Sequence, residues 1–295
     1  CTTACRFCAF FRPPGDDEGY VLDRAQLARK IAEVRDAGGV QILLQGGLHP
    51  DLPLTWYEDL FAWMKREFPT IALHALSPEE ILHLTRLAGL SIEGVLERLT
   101  AAGLDSVPGG GAEILVDRVR KRIAALKCTS QGWLDVMRVA HRLGMRSSAT
   151  MMYGVGEAAR ERVEHLVKLR DVQDETGGFT AYICWPFQPG NTKLAGDVAM
   201  AGAPMYLRQV ALARVALDNV PNLQASWPTM GPAVGQVALG FGANDFGSVM
   251  FEENVVSSAG TVFAMDATAM ETHIVAAGYQ PVRRNMRYER LPGSA

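Results

Sequence analysis

The chain has 295 residues, with 29 Lys and Arg against 32 Asp and Glu for a formal net charge of −3, and 48% of its residues are hydrophobic. That apolar share supports a large core and excludes a disordered chain. The charge balance offers neither the basic field of a nucleic-acid binder nor a polybasic membrane anchor, and no run of about 18 apolar residues is present to span a bilayer.

In chain order, the first feature is a cysteine loop over residues 1–12. Cys1-Thr2-Thr3-Ala4-Cys5-Arg6-Phe7-Cys8 is a C-x3-C-x2-C triplet, and it holds three of the five cysteines. Three thiolates this close in sequence suit a soft metal or an iron–sulfur cluster. Three ligands on a four-iron cluster leave one iron open to a cofactor or substrate, whereas a structural zinc needs a fourth ligand. The remaining cysteines, Cys128 and Cys184, read as packing residues at a helix start and on a strand. So few cysteines, odd in number, argue against a secreted disulfide framework and for a reducing, cytoplasmic setting. At this point an enzyme site, a non-catalytic iron–sulfur protein and a zinc protein all remain open.

A helix is expected over 22–37, with Leu27, Ile31 and Val34 on one face and Gly38-Gly39 as its stop. A first strand follows over 40–44 and a second over 71–76. Ser77-Pro78-Glu79-Glu80 then reads as an N-cap, a proline in the first turn and a capping-box glutamate. A helix over 91–102 precedes a strand at 104–107. A further helix closes over 138–143, followed by a strand at 146–153, a helix at 157–172, a strand at 179–187, a helix at 203–220 and a strand at 223–227. A weaker strand is expected near 242–250. Short apolar runs bounded by Gly and Pro, alternating with helices, predict a parallel sheet in an α/β domain.

Six clear strands and a weak one predict a TIM-type (β/α) barrel, whose first strand would precede Cys1, since residue 1 is not Met. The expectation is an N-terminally truncated barrel, a single domain over 1–295 in which 241–295 closes the barrel. Gln45-Gly46-Gly47 and the segments 74–77, 108–113, 151–154, 185–191 and 226–231 all fall at or just after strand ends. In a barrel these loops form the catalytic face.

The triplet, with Phe7 in its aromatic slot, resembles the radical S-adenosylmethionine superfamily. Further segments look like one subfamily of it, the cyclic dehypoxanthinyl futalosine synthases of menaquinone formation. These are Cys8-Ala9-Phe10-Phe11-Arg12, Leu43-Leu44-Gln45-Gly46-Gly47, His74-Ala75-Leu76-Ser77-Pro78, Asp105-Ser106-Val107-Pro108-Gly109-Gly110-Gly111-Ala112-Glu113 and Asn244-Asp245-Phe246-Gly247-Ser248. The likeness spans nearly the whole chain.

The resemblance implies that Cys1, Cys5 and Cys8 hold a 4Fe–4S cluster whose open iron takes S-adenosylmethionine. It places Phe10 on the adenine, the backbone of Gly46 and Gly47 on the methionyl amine, and Glu113 near the ribose. The residue after the diglycine, often Glu in the superfamily, is here Leu48. Ser77 matches a substrate contact, and Arg12 and Thr229 lie in loops suited to the substrate's polar groups. The implied reaction generates a 5′-deoxyadenosyl radical that removes a hydrogen from the ribose C4′ of dehypoxanthine futalosine. The sugar radical adds to the benzoate ring, and loss of a proton and an electron leaves a spirocycle. His74, Asp245 and Glu252 are unranked candidates for the base. An electron donor such as flavodoxin or ferredoxin and a small-molecule substrate are the expected partners. By residue type alone, Phe10 also suits a lumen plug, Glu113 a helix start, Ser77 an N-cap, Asp245 a turn and His74 a satisfied core histidine. Aminofutalosine synthase and the related deazaflavin-cofactor synthases are the neighbouring activities.

Overall fold

The structure, a computed structural model, describes residues 1–291. The chain runs α1 (Arg24–Asp36), β1 (Gln41–Leu44), α2 (Leu54–Glu67), β2 (Ala72–Ala75), α3 (Pro78–Ala88), α4 (Ile92–Ala102), β3 (Ser106–Val107), α5 (Asp117–Ile123) and α6 (Ser130–Arg142). It continues through β4 (Arg146–Tyr153), α7 (Ala159–Thr176), β5 (Phe179–Pro186), α8 (Ala203–Ala216), β6 (Asn222–Gln224), α9 (Trp227–Met230), α10 (Pro232–Leu239), α11 (Val255–Ser258) and α12 (Ala267–Ala276).

Helix boundaries follow the local chemistry. Asp23 caps α1 in a reciprocal capping box with Gln26, and Ser77 caps α3 in the same way with Glu80, with Pro78 in the first turn. Gly89, Gly103 and Gly177 end α3, α4 and α7 in the left-handed conformation, which glycine adopts without steric cost.

All six strands are parallel and stand in the order of the chain, β1 to β6. This is the strand order of a TIM-type barrel, drawn with six strands. Successive residues alternate between two faces. Leu73 and Ala75 of β2 lie fully buried under the helices, while Ala72 and His74 are half-buried on the opposite, concave face. On β5, Tyr182 and Cys184 face the helices and Ile183 and Trp185 do not. The helix-facing core is filled by Trp133, Trp227, Tyr153, Tyr182, Tyr206, Phe61 and Phe179, with the rings of Trp133 and Phe179 stacked at 6.3 Å. Each such side chain contributes about 1.5–3 kcal/mol through burial.

The expected strand near 242–250 forms only one isolated bridge, Gln224 to Asp245. Two glycines with positive φ, Gly242 and Gly247, interrupt it. The side chain of Asn244 accepts the Leu223 N–H at 2.8 Å, taking a ladder donor that a neighbouring strand would have used. The expected strand at 104–107 shortens to two residues, and α2, α5 and the helices after β6 had no counterpart in the pattern.

The C-terminal stretch crosses back over the sheet. Glu252 pairs with Lys30 of α1, and Met286 Sδ lies 3.9 Å from Ser106 Oγ of β3. Residues 292–295 of the expected closing section lie outside the described residues. Among the described residues no helix is long and apolar enough to cross a membrane.

Candidate active site

Parallel strands in chain order place all their carboxyl ends on one edge, so the loops that follow them meet there. The cysteine loop lies against the loop after β1. Thr2 N donates to Leu48 O at 3.1 Å, and Leu48 N donates to Cys1 Sγ at 3.4 Å. A Cβ at Gly47 would stand 2.6 Å from Cys1 Cβ, so only glycine permits this approach. Arg6 N donates to Ile123 O at 2.8 Å, and Lys193 N donates to Arg6 O at 2.9 Å. The loop is thereby tied to β1, α5 and the segment after β5. Ala4, between the first two cysteines, holds a left-handed φ of 46°, a conformation that costs roughly 1–2 kcal/mol for a residue with a Cβ.

All three thiols are free, Cys5 buried and Cys1 and Cys8 half-buried. Burial pushes the Cys5 and Cys8 thiols up, and the Lys127 charge opposes it at both. Hydrogen bonds from Thr3 to Cys5 and from the Phe10 and Phe11 backbone to Cys8 act in the same opposing sense. These are groups that hold a thiolate once a metal displaces its proton. Among the described residues no three His, Cys, Asp or Glu side chains converge on a single-ion site. Three thiols in one loop, each with N–H, hydroxyl or cationic neighbours, are a donor set that would suit an iron–sulfur cluster. Cys128 and Cys184 are different: burial drives both to about 12, as expected of packing residues.

The rim beside this loop holds buried charge. Glu113, with φ of 44°, pairs with Lys127 at 2.5 Å, and the two side chains are only 7% and 12% exposed. The Lys127 ammonium lies 5.3 Å from the centre of the Phe7 ring, inside the cysteine triplet, and its pKa is raised although burial works against it. Glu113 O also accepts the Met152 N–H at 3.0 Å, joining the rim to β4. Gly109 comes so close to β4 that a Cβ there would meet Ser148 O at 2.6 Å. The oxygen Oε1 of Glu80 accepts the Gly46 N–H at 2.9 Å, while Oε2 accepts the N–H and O–H of Ser77, both at 2.7 Å.

The structure thus gathers Cys1, Cys5, Cys8, Gly46, Gly47, Ser77 and Glu113 into one connected rim. Ser77 is the N-cap of α3 as well as a rim residue. Phe10 is half-buried with its ring edge-on to Tyr20 at 6.4 Å. Arg12 bonds within its own loop, to Glu18 and to the Ala9 and Phe11 carbonyls. Thr229 is buried and bonded to Ser226.

The three candidate bases separate. His74 is on the concave face, its Nδ1 2.5 Å from Ser106 Oγ, and burial lowers it to about 4, so it is neutral at pH 7. Asp245 is held by Arg284 and Tyr288. Glu252 is an exposed partner of Lys30, whose hydrogen bond lowers its pKa. Lys127, Glu80 and Ser106 are rim or concave-face residues that the sequence reading did not single out. The capping-box position of Glu80 was visible, but its reach to Gly46 was not. For Lys127, only its place beside Cys128 offered any signal.

Comparison with known proteins agrees with this architecture. Residues 1–169 match the radical SAM superfamily, and residues 176–294 match the CofH/MqnC C-terminal region. The junction falls between β4 and β5, which are paired along their length from Ser147↔Phe179 to Tyr153↔Pro186. The chain is 48% identical to the cyclic dehypoxanthine futalosine synthase of Halalkalibacterium halodurans, over 98% of this chain and 78% of the relative. It is 38% identical to the aminodeoxyfutalosine synthase of Thermus thermophilus, over 99% of this chain and 80% of the relative. The crystal structure of methylornithine synthase superposes with a TM-score of 0.73 at 16% identity, covering 96% of this chain and 80% of that one. That likeness concerns the fold.

Proposed function

The chain belongs to the radical S-adenosylmethionine superfamily, and from that premise we propose that it converts dehypoxanthine futalosine to cyclic dehypoxanthine futalosine in menaquinone formation. The observation that carries the reading is the higher identity to the cyclic dehypoxanthine futalosine synthase than to the aminodeoxyfutalosine synthase, over nearly the same span.

Cys1, Cys5 and Cys8 are the residues to hold a 4Fe–4S cluster, with Phe10, Gly46, Gly47 and Glu113 around S-adenosylmethionine. When bound, this pair supplies a one-electron cleavage that yields a hydrogen-abstracting 5′-deoxyadenosyl radical. The protein's part is position, exclusion of water and movement of protons. The half-buried concave face, covered by the segment around Met286, shields the reacting carbons. His74 accepts the proton released when the ring regains aromaticity, and the electron lost with it would return to the oxidised cluster held by Cys1, Cys5 and Cys8. It is neutral, and the tautomer whose Nδ1–H donates to Ser106 Oγ leaves Nε2 as the acceptor for that proton. Asp245 and Glu252 each already answer a cation. Ser77, just after β2, and Thr229, in α9 after β6, stand in segments where substrate hydroxyls would lie. A flavodoxin- or ferredoxin-type donor supplies the electron in a reducing cytoplasm, where free thiols persist.

The test is anaerobic incubation of the reconstituted chain with dehypoxanthine futalosine, S-adenosylmethionine and a reductant. Mass spectrometry is expected to show 5′-deoxyadenosine and a product two hydrogens lighter than the substrate. Turnover of the aminodeoxyfutalosine synthase substrate instead would move the chain to that activity. No cofactor-dependent change with either substrate would leave an iron–sulfur protein without this chemistry.

A further inference from the structure

Glu80 lies at the third position of α3, where a capping-box glutamate normally reaches only the N-cap N–H. Here it does more. Its oxygen Oε2 accepts both the N–H and the O–H of Ser77, and its oxygen Oε1 crosses to the Gly46 N–H at 2.9 Å. The side chain is in the core of the rim, with the residue 5% exposed. A carboxylate offers about four acceptor sites. Three are filled, and the free one is on Oε1, the oxygen facing the diglycine loop. A Cβ at Gly46 would stand 3.9 Å from that oxygen.

Buried carboxylates are normally paired with a cation. Among the described residues no Lys or Arg forms an ion pair with Glu80, and the nearby Lys127 is committed to Glu113. Leu48, after the diglycine, is apolar and buried, and gives the site only backbone groups, its N–H to Cys1 Sγ and its carbonyl to the Thr2 N–H. We propose that Glu80 is a cofactor-binding residue whose carboxylate receives the α-ammonium of the methionyl group at the Gly46–Gly47 loop. Burial raises the Glu80 pKa, while its three hydrogen bonds and the Lys127 charge favour the ionised form. An arriving ammonium provides the missing counter-charge.

The inference rests on the cofactor assigned under the proposed function, and the experiment separates the two. Reconstituted wild type and Glu80→Gln are titrated calorimetrically, without oxygen, with S-adenosylmethionine and with its analogue lacking the α-amino group. Gln keeps the capping box. Iron content and Tm are measured on the same samples. Wild type is expected to prefer the full cofactor by about 10- to 100-fold, the value of a hydrogen bond to a charged group. Glu80→Gln is expected to lose that preference, with iron content and Tm retained. A variant that binds the cofactor like wild type, or weakens both ligands equally, overturns the assignment in favour of a loop brace. Should Glu80→Gln lose iron, the carboxylate is needed to hold the diglycine loop against the cysteine loop, which overturns the assignment in favour of a loop brace. Wild type that binds neither ligand defeats the proposed function itself.

Discussion

The helix-facing core and the rim at the carboxyl ends of the strands reach burial by different physics. Beneath the helices, Trp133, Phe179, Tyr182 and Tyr206 fill the core with large, neutral groups. The histidines found there are neutral too: His165, fully buried, accepts the Leu115 N–H, and His141 is bonded to Ser147 and Thr176 and lies edge-on to Phe179. At the carboxyl ends of the strands the buried groups are ions and strained backbone. Glu80, Glu113 and Lys127 are there, with Leu76 and Glu113 in left-handed conformations. Buried ions and strain oppose folding, so their concentration on one rim marks where the fold has been shaped around a ligand rather than for its own stability.

Three experiments press on this contrast. The largest effect belongs to the cysteine loop: Cys1→Ala, Cys5→Ala or Cys8→Ala should each abolish turnover and sharply lower iron content. Cys128→Ala and Cys184→Ala, with thiols held near 12, should retain the cluster. Iron analysis with electron paramagnetic resonance reads both, and loss of iron in either of the latter two would redraw the ligand set.

Next is the rim ion pair. Glu113→Gln leaves the nearly buried Lys127 ammonium without its partner and should lower unfolding free energy by about 3–5 kcal/mol. Adding Lys127→Met should recover much of that loss, as a coupled pair requires. Denaturant unfolding measures this. An unaltered midpoint for Glu113→Gln would make its carboxylate purely a ligand group.

The helix-facing side gives the most gradual effect. Burial lowers His165 to about 3 and His141 to about 4. Because the unfolded chain binds their protons near pH 6.5 and the folded chain does not, they support the fold above that pH. The support is lost as pH falls from about 6.5 toward 4. Tm should therefore drop across this window, and His141→Gln should flatten the decline. A Tm independent of pH between 7 and 5 would show that these histidines are not held neutral.

Much of this was legible before the structure. The triplet of cysteines is a local pattern, and so is the alternation of apolar runs with amphipathic helices. Both survive in the fold, as does the capping box at Ser77. The expected strand near 242–250 failed because its apolar residues could not reveal that Asn244 would take the Leu223 donor. The base was unrankable because His74, Asp245 and Glu252 differ in their partners, not in their residue type.

Local interactions, spanning a turn of helix or a few strand residues, write themselves into sequence as periodicity and spacing, so fold class and cluster motif were determined there. The rim was decided only by tertiary structure. Glu80 meets Gly46 across 34 residues, and Cys128 N meets Glu79 across 49. Charge becomes costly or useful only once burial removes water from around it. Burial belongs to the folded chain, so which carboxylate lacks a counter-ion could not be read from residue order.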